Sequence, residues 1–281
     1  MSRAFAPSPW QRFRRHRAAR GALLVLAALT LFALLAPPLL PLDPHSPDWE
    51  RISVPPEPAH PFGTDAIGRD LLARTALGLR TTLLVAGSAA LLALLVGLPW
   101  GLLAGWVGGP VGGLMMRIVD VLQALPFLFL AILLMAVFGR RTELLFAAIG
   151  GYVWLDLARI VRAETLSLRE REFVLAARAL GASTGRILVR HLLPQLAGGA
   201  LVALGVIVPK VILIESFLSY LGLGIQEPMV SLGGLVHEGA QDMSFAPWAL
   251  AFPAGFLVAL LLALHFLAEG LRDALDPRSP A

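Results

Sequence analysis

The stretch REREFVLAARALGASTGRILVRHLLP (169–194) decides how this chain is read. It consists of good helix formers and carries five arginines. Long apolar runs flank it, at 143–161 and 195–220. A segment this polar cannot lie in hydrocarbon, so it must rest in water at one face of a membrane. Its composition is not that of a loop. Phe173–Leu180 is a short helical piece, and Gly181-Ala182-Ser183-Thr184-Gly185 is a turn with Ser183 or Thr184 placed to cap the next helix. Arg186–Leu193 then leads into Pro194. The result is helix, tight turn, helix. Its small-residue corner admits another protein's backbone closely, and its arginines suit an acidic groove.

The rest of the composition agrees with a membrane protein. Of 281 residues, 57% are hydrophobic and only 15% charged, against roughly a quarter charged in a soluble domain. Cysteine is absent, which excludes disulfides and thiol ligands. A sequence pI near 10.5 would point to nucleic acid in a soluble protein. Here the positive charges mark one membrane face, and no nucleic-acid partner is expected.

Working outward, the apolar runs divide into six spans, at about 21–41, 81–107, 114–138, 143–161, 195–220 and 247–268. The uncharged run 81–116 would be about 54 Å long as one helix, too long for a hydrocarbon core of about 30 Å. The GGPVGG at 108–113 divides it. The first span is too long for a signal peptide's apolar region and is read as a retained helix. Two polar loops, 43–79 and 221–246, lie on the face opposite to 162–194. Residues 1–20 carry six arginines and 159–190 carry seven, on one face of the six-span arrangement. The positive-inside rule makes that face, with both termini, cytoplasmic. Arg140 and Arg141, in a short outer turn, disagree with this arrangement, whereas Arg51, Arg69 and Arg74 lie in an outer loop that is net acidic.

No nucleotide-binding loop, metalloprotease motif, nucleophile elbow or Cys/His cluster is present. No catalytic site is therefore expected. Lys210 and Glu215 stand inside the fifth span, where charge is costly and usually faces a cavity. They are five residues apart, about 140° around a helix, which disfavours a direct pair. Both are candidates for a translocation path. Asp156 with Arg159, and Arg117 with Asp120 three residues on, read as structural. Asp43, His45, Asp48 and His60 are too loosely spaced to make a strong metal site. HPFGTDAIGRD (60–70) reads as the outer re-entry into the second span, with Thr64 or Asp65 as cap. His237, Glu238 and Asp242 sit in the second outer loop, which is read as solvated or, alternatively, as a contact for a substrate-binding protein. An ion-coupled secondary transporter using Lys210 and Glu215 is the alternative function on these residues, and it leaves 169–194 unexplained.

Ala176-Ala177-x-x-x-Gly181 followed by Leu193-Pro194 resembles the EAA loop of ABC importer permeases. Four further stretches are similar to the C-type subunit of dipeptide, oligopeptide and nickel importers: HPFGTDAIGRD (60–70), MRIVDVLQALP (116–126), ESFLSYLGLGIQEP (215–228) and EGLRDALDPR (269–278). RAETLSLREREFVLAARALGAS (162–183) extends the likeness around the loop, and together these stretches cover most of 60–278; residues 10–60 resemble that subfamily's additional N-terminal helix and loop. Three positions depart from the pattern. Leu175 stands where the signature has Glu, His191 where an Ile is usual, and Ser231-Leu232-Gly233 where Ser-Trp-Gly is usual.

The resemblance implies an all-α polytopic membrane protein of the type I ABC importer permease fold. Its parts would be a cytoplasmic basic N-terminus (1–20), an N-terminal transmembrane helix and extracytoplasmic loop (21–79), a permease domain (80–270) with its coupling loop at 162–194, and a cytoplasmic tail (271–281). It implies a heterodimer with a homologous permease, two cytosolic ATPase subunits, an extracytoplasmic solute-binding protein and a place in the bacterial cytoplasmic (inner) membrane. ATP and Mg²⁺ would be bound by those ATPases, with no cofactor on this chain. Leu175, Ala176, Ala177, Arg178, Ala179, Leu180, Gly181, Ala182 and Ser183 would form the coupling helix. The cargo would be a peptide, or nickel or another small solute, moved by alternating access.

Overall fold

The computed structural model describes residues 9–39, 43–139 and 141–275. Arg3, Arg140 and the end of the tail, 276–281, lie outside the described residues. Among the described residues ten helices run in order: α1 Pro9–Arg15, α2 Arg17–Leu39, α3 Leu71–Val107, α4 Gly109–Ala124, α5 Phe127–Phe138, α6 Thr142–Leu168, α7 Glu172–Ala179, α8 Thr184–Tyr220, α9 Leu232–Asp242 and α10 Pro247–Leu275. Five of them (α2, α3, α6, α8 and α10) are long and apolar enough to cross a membrane. The α4–α5 pair makes a sixth if the two are taken together.

The third span is not the single helix expected. α4 and α5 meet at an angle of 73°. Leu125 precedes Pro126, and steric conflict with the proline ring pushes such a residue out of the helical region. Leu125 indeed has φ −76° and ψ 123°, and a new helix starts after Pro126.

The second span begins ten residues earlier than expected. Asp70 caps α3, its carboxylate accepting from the Ala73 N–H at 2.8 Å, in place of Thr64 or Asp65. Arg74 reads as loop in the sequence because of its charge. It sits inside the first turns of α3, 2% exposed, because Asp65 and Glu238, from two other segments, hold its guanidinium at 2.7 and 3.0 Å. The loop expected at 221–246 also holds a helix. Ser231 caps α9 by accepting from the Gly234 N–H at 3.1 Å. α9 packs against α8 and α10 through glycine: a β-carbon on Gly233 would lie 2.4 Å from Ser216 Cα, and one on Gly239 2.4 Å from the Ala249 carbonyl.

The α3–α6 pair forms the centre of the bundle. Gly97, Gly101 and Gly105 recur every fourth residue and so share one face of α3. A β-carbon at each would lie 2.5 Å from the Trp154 carbonyl, 2.4 Å from the Ala158 carbonyl and 2.6 Å from Thr165 Cβ. Backbone meets backbone along this seam, the usual way for helices to associate without a hydrophobic drive between them. A continuous core then joins α2, α3, α5, α6, α7, α8 and α10. α1 folds back on the end of α10, where Phe13, Ala19 and Ala274 pack together and His16 lies 3.4 Å from Asp273.

Candidate functional sites: the elbow and the polar cavity

α7 is the helix read from FVLAARAL, and it ends as that reading requires. Gly181 has φ +77°, a conformation in which a β-carbon is strained. Its N–H donates to the Arg178 carbonyl at 2.9 Å, and the next N–H, of Ala182, donates to Ala177 at 3.0 Å. This doubled closure satisfies carbonyls that the helix end would otherwise leave bare. Ser183 then occupies the cap position of α8 with extended backbone but makes no side-chain cap bond.

The elbow has an inner and an outer face. Val174 and Ala177 are buried in the chain's own core. Leu175, Ala176, Ala179 and Leu180 point away from it, Leu180 being 88% exposed. Two arginines clamp the elbow to the end of α3. The Arg169 Nη1 donates to the Gly105 carbonyl at 3.1 Å, and the Arg178 guanidinium stacks 4.4 Å from the Trp106 ring centre. A cation at the C-terminal end of a helix is favoured by its dipole, and the arginine–tryptophan stack adds about 0.5–1 kcal/mol.

The second site is a cavity of about 870 Å³ between α4, α6, α8 and the end of α10. It follows α8 from Lys210 to Pro194, about 24 Å at the helical rise, which is most of a membrane's hydrocarbon depth. Lys210 lines it and Glu215 does not. Glu215 is fully buried, with the Ser219 hydroxyl donating to it at 2.6 Å. Lys210 instead pairs with Asp156 at 2.8 Å. Gln123 donates to the other oxygen of Asp156 at 2.8 Å, and its carbonyl oxygen accepts from Arg159. Arg159 then pairs with Asp120 at 2.9 Å, in place of the expected Arg117–Asp120 pairing. In the sequence Asp156 and Arg159 read as structural, and Gln123 goes unnoticed. The available signal is the unmet need of Lys210 for a countercharge inside a span.

At the opposite end of the bundle a charged latch ties the 43–70 loop to α9. The Asp65 carboxylate accepts from the Arg69 Nε and the Arg74 Nη1, both at 2.7 Å. Arg74 reaches Glu238 at 3.0 Å, and Arg69 reaches Glu227. His60 sits 2.8 Å from the capping Asp70. Among the described residues no group of carboxylates and histidines has the arrangement of a metal site, so Asp43, His45, Asp48 and His60 do not converge. Burial pushes the Glu238 carboxyl up to about 7, with Arg69 opposing and Asp65 and Glu227 adding to the rise. In the unfolded chain the group titrates near 4.5. The folded protein therefore binds the extra proton between these values, and its stability falls as pH rises from about 4.5 through 7. Glu238→Gln is expected to flatten that part of the profile. Unfolding midpoints of the detergent-purified protein across about pH 5 to 8 measure this, and equal slopes for parent and variant would refute it.

Residues 97–279 match the family model described as binding-protein-dependent transport system inner membrane component. Residues 8–56 match that of the N-terminal TM domain of oligopeptide transport permease C. The chain is similar to the oligopeptide transport system permease protein OppC of Escherichia coli K12, 48% identical over 96% of this chain and 92% of that protein. It is 46% identical to the Haemophilus influenzae OppC, over 96% and 89%. The dipeptide transport system permease protein DppC of Bacillus subtilis is 38% identical, over 99% and 87%. In fold the chain resembles a chain of the inward-facing MetNI methionine ABC transporter, with a TM-score of 0.59 and 20% identity over 73% of this chain and 96% of that one.

Proposed function

Since the chain belongs to the family of binding-protein-dependent transport system inner membrane components, we propose that it forms half of a passage for short peptides, driven from the elbow. Membership itself makes it a multi-pass inner-membrane permease subunit of an ABC importer, working with other ABC subunits and catalysing no reaction of its own. It leaves the ion-coupled alternative without support. The peptide cargo is our reading from relatives whose names specify oligopeptide and dipeptide transport.

The observation that carries the mechanism is the elbow. α7 is held to its own bundle by Val174, Ala177, Arg169 and Arg178 while it offers Leu175, Ala176, Ala179 and Leu180 outward. A helix so clamped passes a push on to α3 and α6 rather than yielding locally. We assign Leu175–Ser183, through its outward residues and not through the buried Ala177, as the contact with one of the two cytosolic ATPases, which would bind ATP and Mg²⁺. Both termini then lie in the cytoplasm, and the latch end meets a solute-binding protein. The proposed parts are the basic terminus 1–20, the first helix and outer loop 21–79, the permease domain 80–270 with its coupling loop 162–194, and the tail 271–281. The polar cavity with Lys210 is the proposed half-passage, completed by a homologous permease. Glu215, hydrogen-bonded to Ser219 and away from the cavity, serves in this reading the packing of α8 beside α9.

Membranes expressing the tagged chain with its partner subunits provide the test. The tag should recover a second permease and an ATPase, and the purified complex in liposomes should accumulate labelled tripeptides only with ATP and the binding protein present. Recovery of the chain alone, or accumulation driven by an ion gradient, would overturn the proposal.

A further inference from the structure

The polar chain at the cavity, four of whose five members line it, is arranged in a way that its position alone does not require. Asp120 and Gln123 come from α4, Asp156 and Arg159 from α6, and Lys210 from α8. They join end to end, Asp120 to Arg159 to Gln123 to Asp156 to Lys210. None is deeply buried: Lys210 is 48% exposed, Arg159 54%, Asp120 46% and Asp156 27%. Ion pairs in an apolar setting give little net stability, because desolvation offsets the attraction. Helix packing alone would be served as well by apolar residues of the same volume. A row of half-exposed charges over an open cavity makes sense where a polar solute moves past it.

The row is also neutral. Asp120, which pairs with Arg159 but does not itself line the cavity, and Asp156 balance Arg159 and Lys210, and the remaining ionisable groups of the lining, Glu164 and Arg272, are of opposite sign. An unpaired charge in a narrow, poorly solvated passage sets up a field that attracts one sign of solute and repels the other. Pairing the four charges of the row cancels their field while keeping donors and acceptors for a peptide backbone.

We propose that this five-residue row is a specificity element: it hydrogen-bonds peptides in transit while making the passage indifferent to the sign of their side chains. The inference rests on the reading of the cavity as a peptide passage. It identifies Asp156 and Lys210 as the residues that hold the balance, since each is the other's ion-pair partner.

The chain contains no cysteine, so a single thiol can report the cavity's potential directly. Val206 lines the cavity one helical turn from Lys210. In the assembled complex, Val206→Cys is treated with a sulfonatoethyl and with a trimethylammonioethyl methanethiosulfonate. Adding Asp156→Asn should raise the anionic-to-cationic rate ratio about tenfold, as expected for one unpaired charge a few ångströms away at intermediate dielectric. Lys210→Gln should lower it similarly, and the double variant should return it to the parent value. Relative uptake of acidic and basic tripeptides should move in the same sense in each variant.

A reagent ratio unmoved by either single variant overturns the proposal. Loss of the second permease from both Asp156→Asn and the double variant does so too, making the row a subunit contact. A shifted reagent ratio with an unshifted uptake ratio shows that peptides do not pass the row. A parent complex that accumulates neither tripeptide, while the reagent ratio still shifts, marks the failure of the peptide reading itself and removes the proposed role with it.

Discussion

Replacing Gly181 with proline is expected to abolish peptide uptake, by a hundredfold or more, while the chain still inserts in the membrane. Proline fixes φ near −65°, whereas Gly181 sits at +77°. The change also removes the N–H that donates to the Arg178 carbonyl at 2.9 Å. The strain and the lost bond together cost several kcal/mol at one turn, and each 1.4 kcal/mol is a factor of ten in an equilibrium. The turn cannot hold its shape, so α7 loses its angle to α8. ATP hydrolysis by the partners should continue without transport. Gly181→Ala, with a strain of about 1–2 kcal/mol, should give an intermediate phenotype. Leu180→Asp separates docking from folding: at 88% exposure the side chain touches little of its own chain, so a transport loss there with normal stability belongs to the partner contact. Ala177→Trp does not serve this purpose, because Ala177 is buried in the chain's own core. Labelled-peptide accumulation and ATPase rate, measured on the same liposomes, decide the matter. Normal uptake by Gly181→Pro would remove the elbow from the mechanism.

Asp65→Ala is expected to destabilise the protein by about 3–5 kcal/mol, the usual cost of taking one partner from a buried ion pair. Asp65 accepts at 2.7 Å from both arginines of the latch and also from the backbone N–H groups of Ile67 and Arg69. Arg74, 2% exposed, would keep only Glu238 within 3.0 Å. The unfolding midpoint should drop by roughly 10 °C, and Asp65→Asn, which keeps the volume and one acceptor oxygen, should drop it less. A midpoint for Asp65→Ala within about 2 °C of the parent would show that the latch contributes little.

What the sequence reveals of this protein depends on range. The elbow is local: helix formers, a glycine turn and flanking arginines lie within one stretch, and α7 follows them closely. The break at Leu125–Pro126 is also local, and the proline in MRIVDVLQALP announces it once the residue before it is considered. Arg74 is different. Its charge argues against a helix in a span, and only Asp65 and Glu238, the latter 164 residues away in sequence, reverse that argument. α9 is hidden in the sequence because three glycines weaken its helical pattern. Those at 233 and 239 are there for close packing against α8 and α10. Lys210 stands out in the sequence as a charge needing a reason, but its partner Asp156 lies 54 residues away on another helix. Spacing within one helix tests i,i+4 neighbours and is silent on such pairs.

The glycine seam of α3 limits how this chain can change length. Each added residue turns everything after it by about 100° and advances it by about 1.5 Å. A one-residue insertion between Gly97 and Gly101 would carry Gly101 and Gly105 off the face that meets α6. Bulkier neighbours would then press against the Ala158 carbonyl, where even a β-carbon on Gly101 would come within 2.4 Å. Substitution is tolerable at many positions of α3, but insertion or deletion is not, because the seam counts residues in fours. Length variation among importers built this way should therefore collect in the 43–70 loop and the terminal segments, and the interval from Gly97 to Gly105 should hold a constant number of residues.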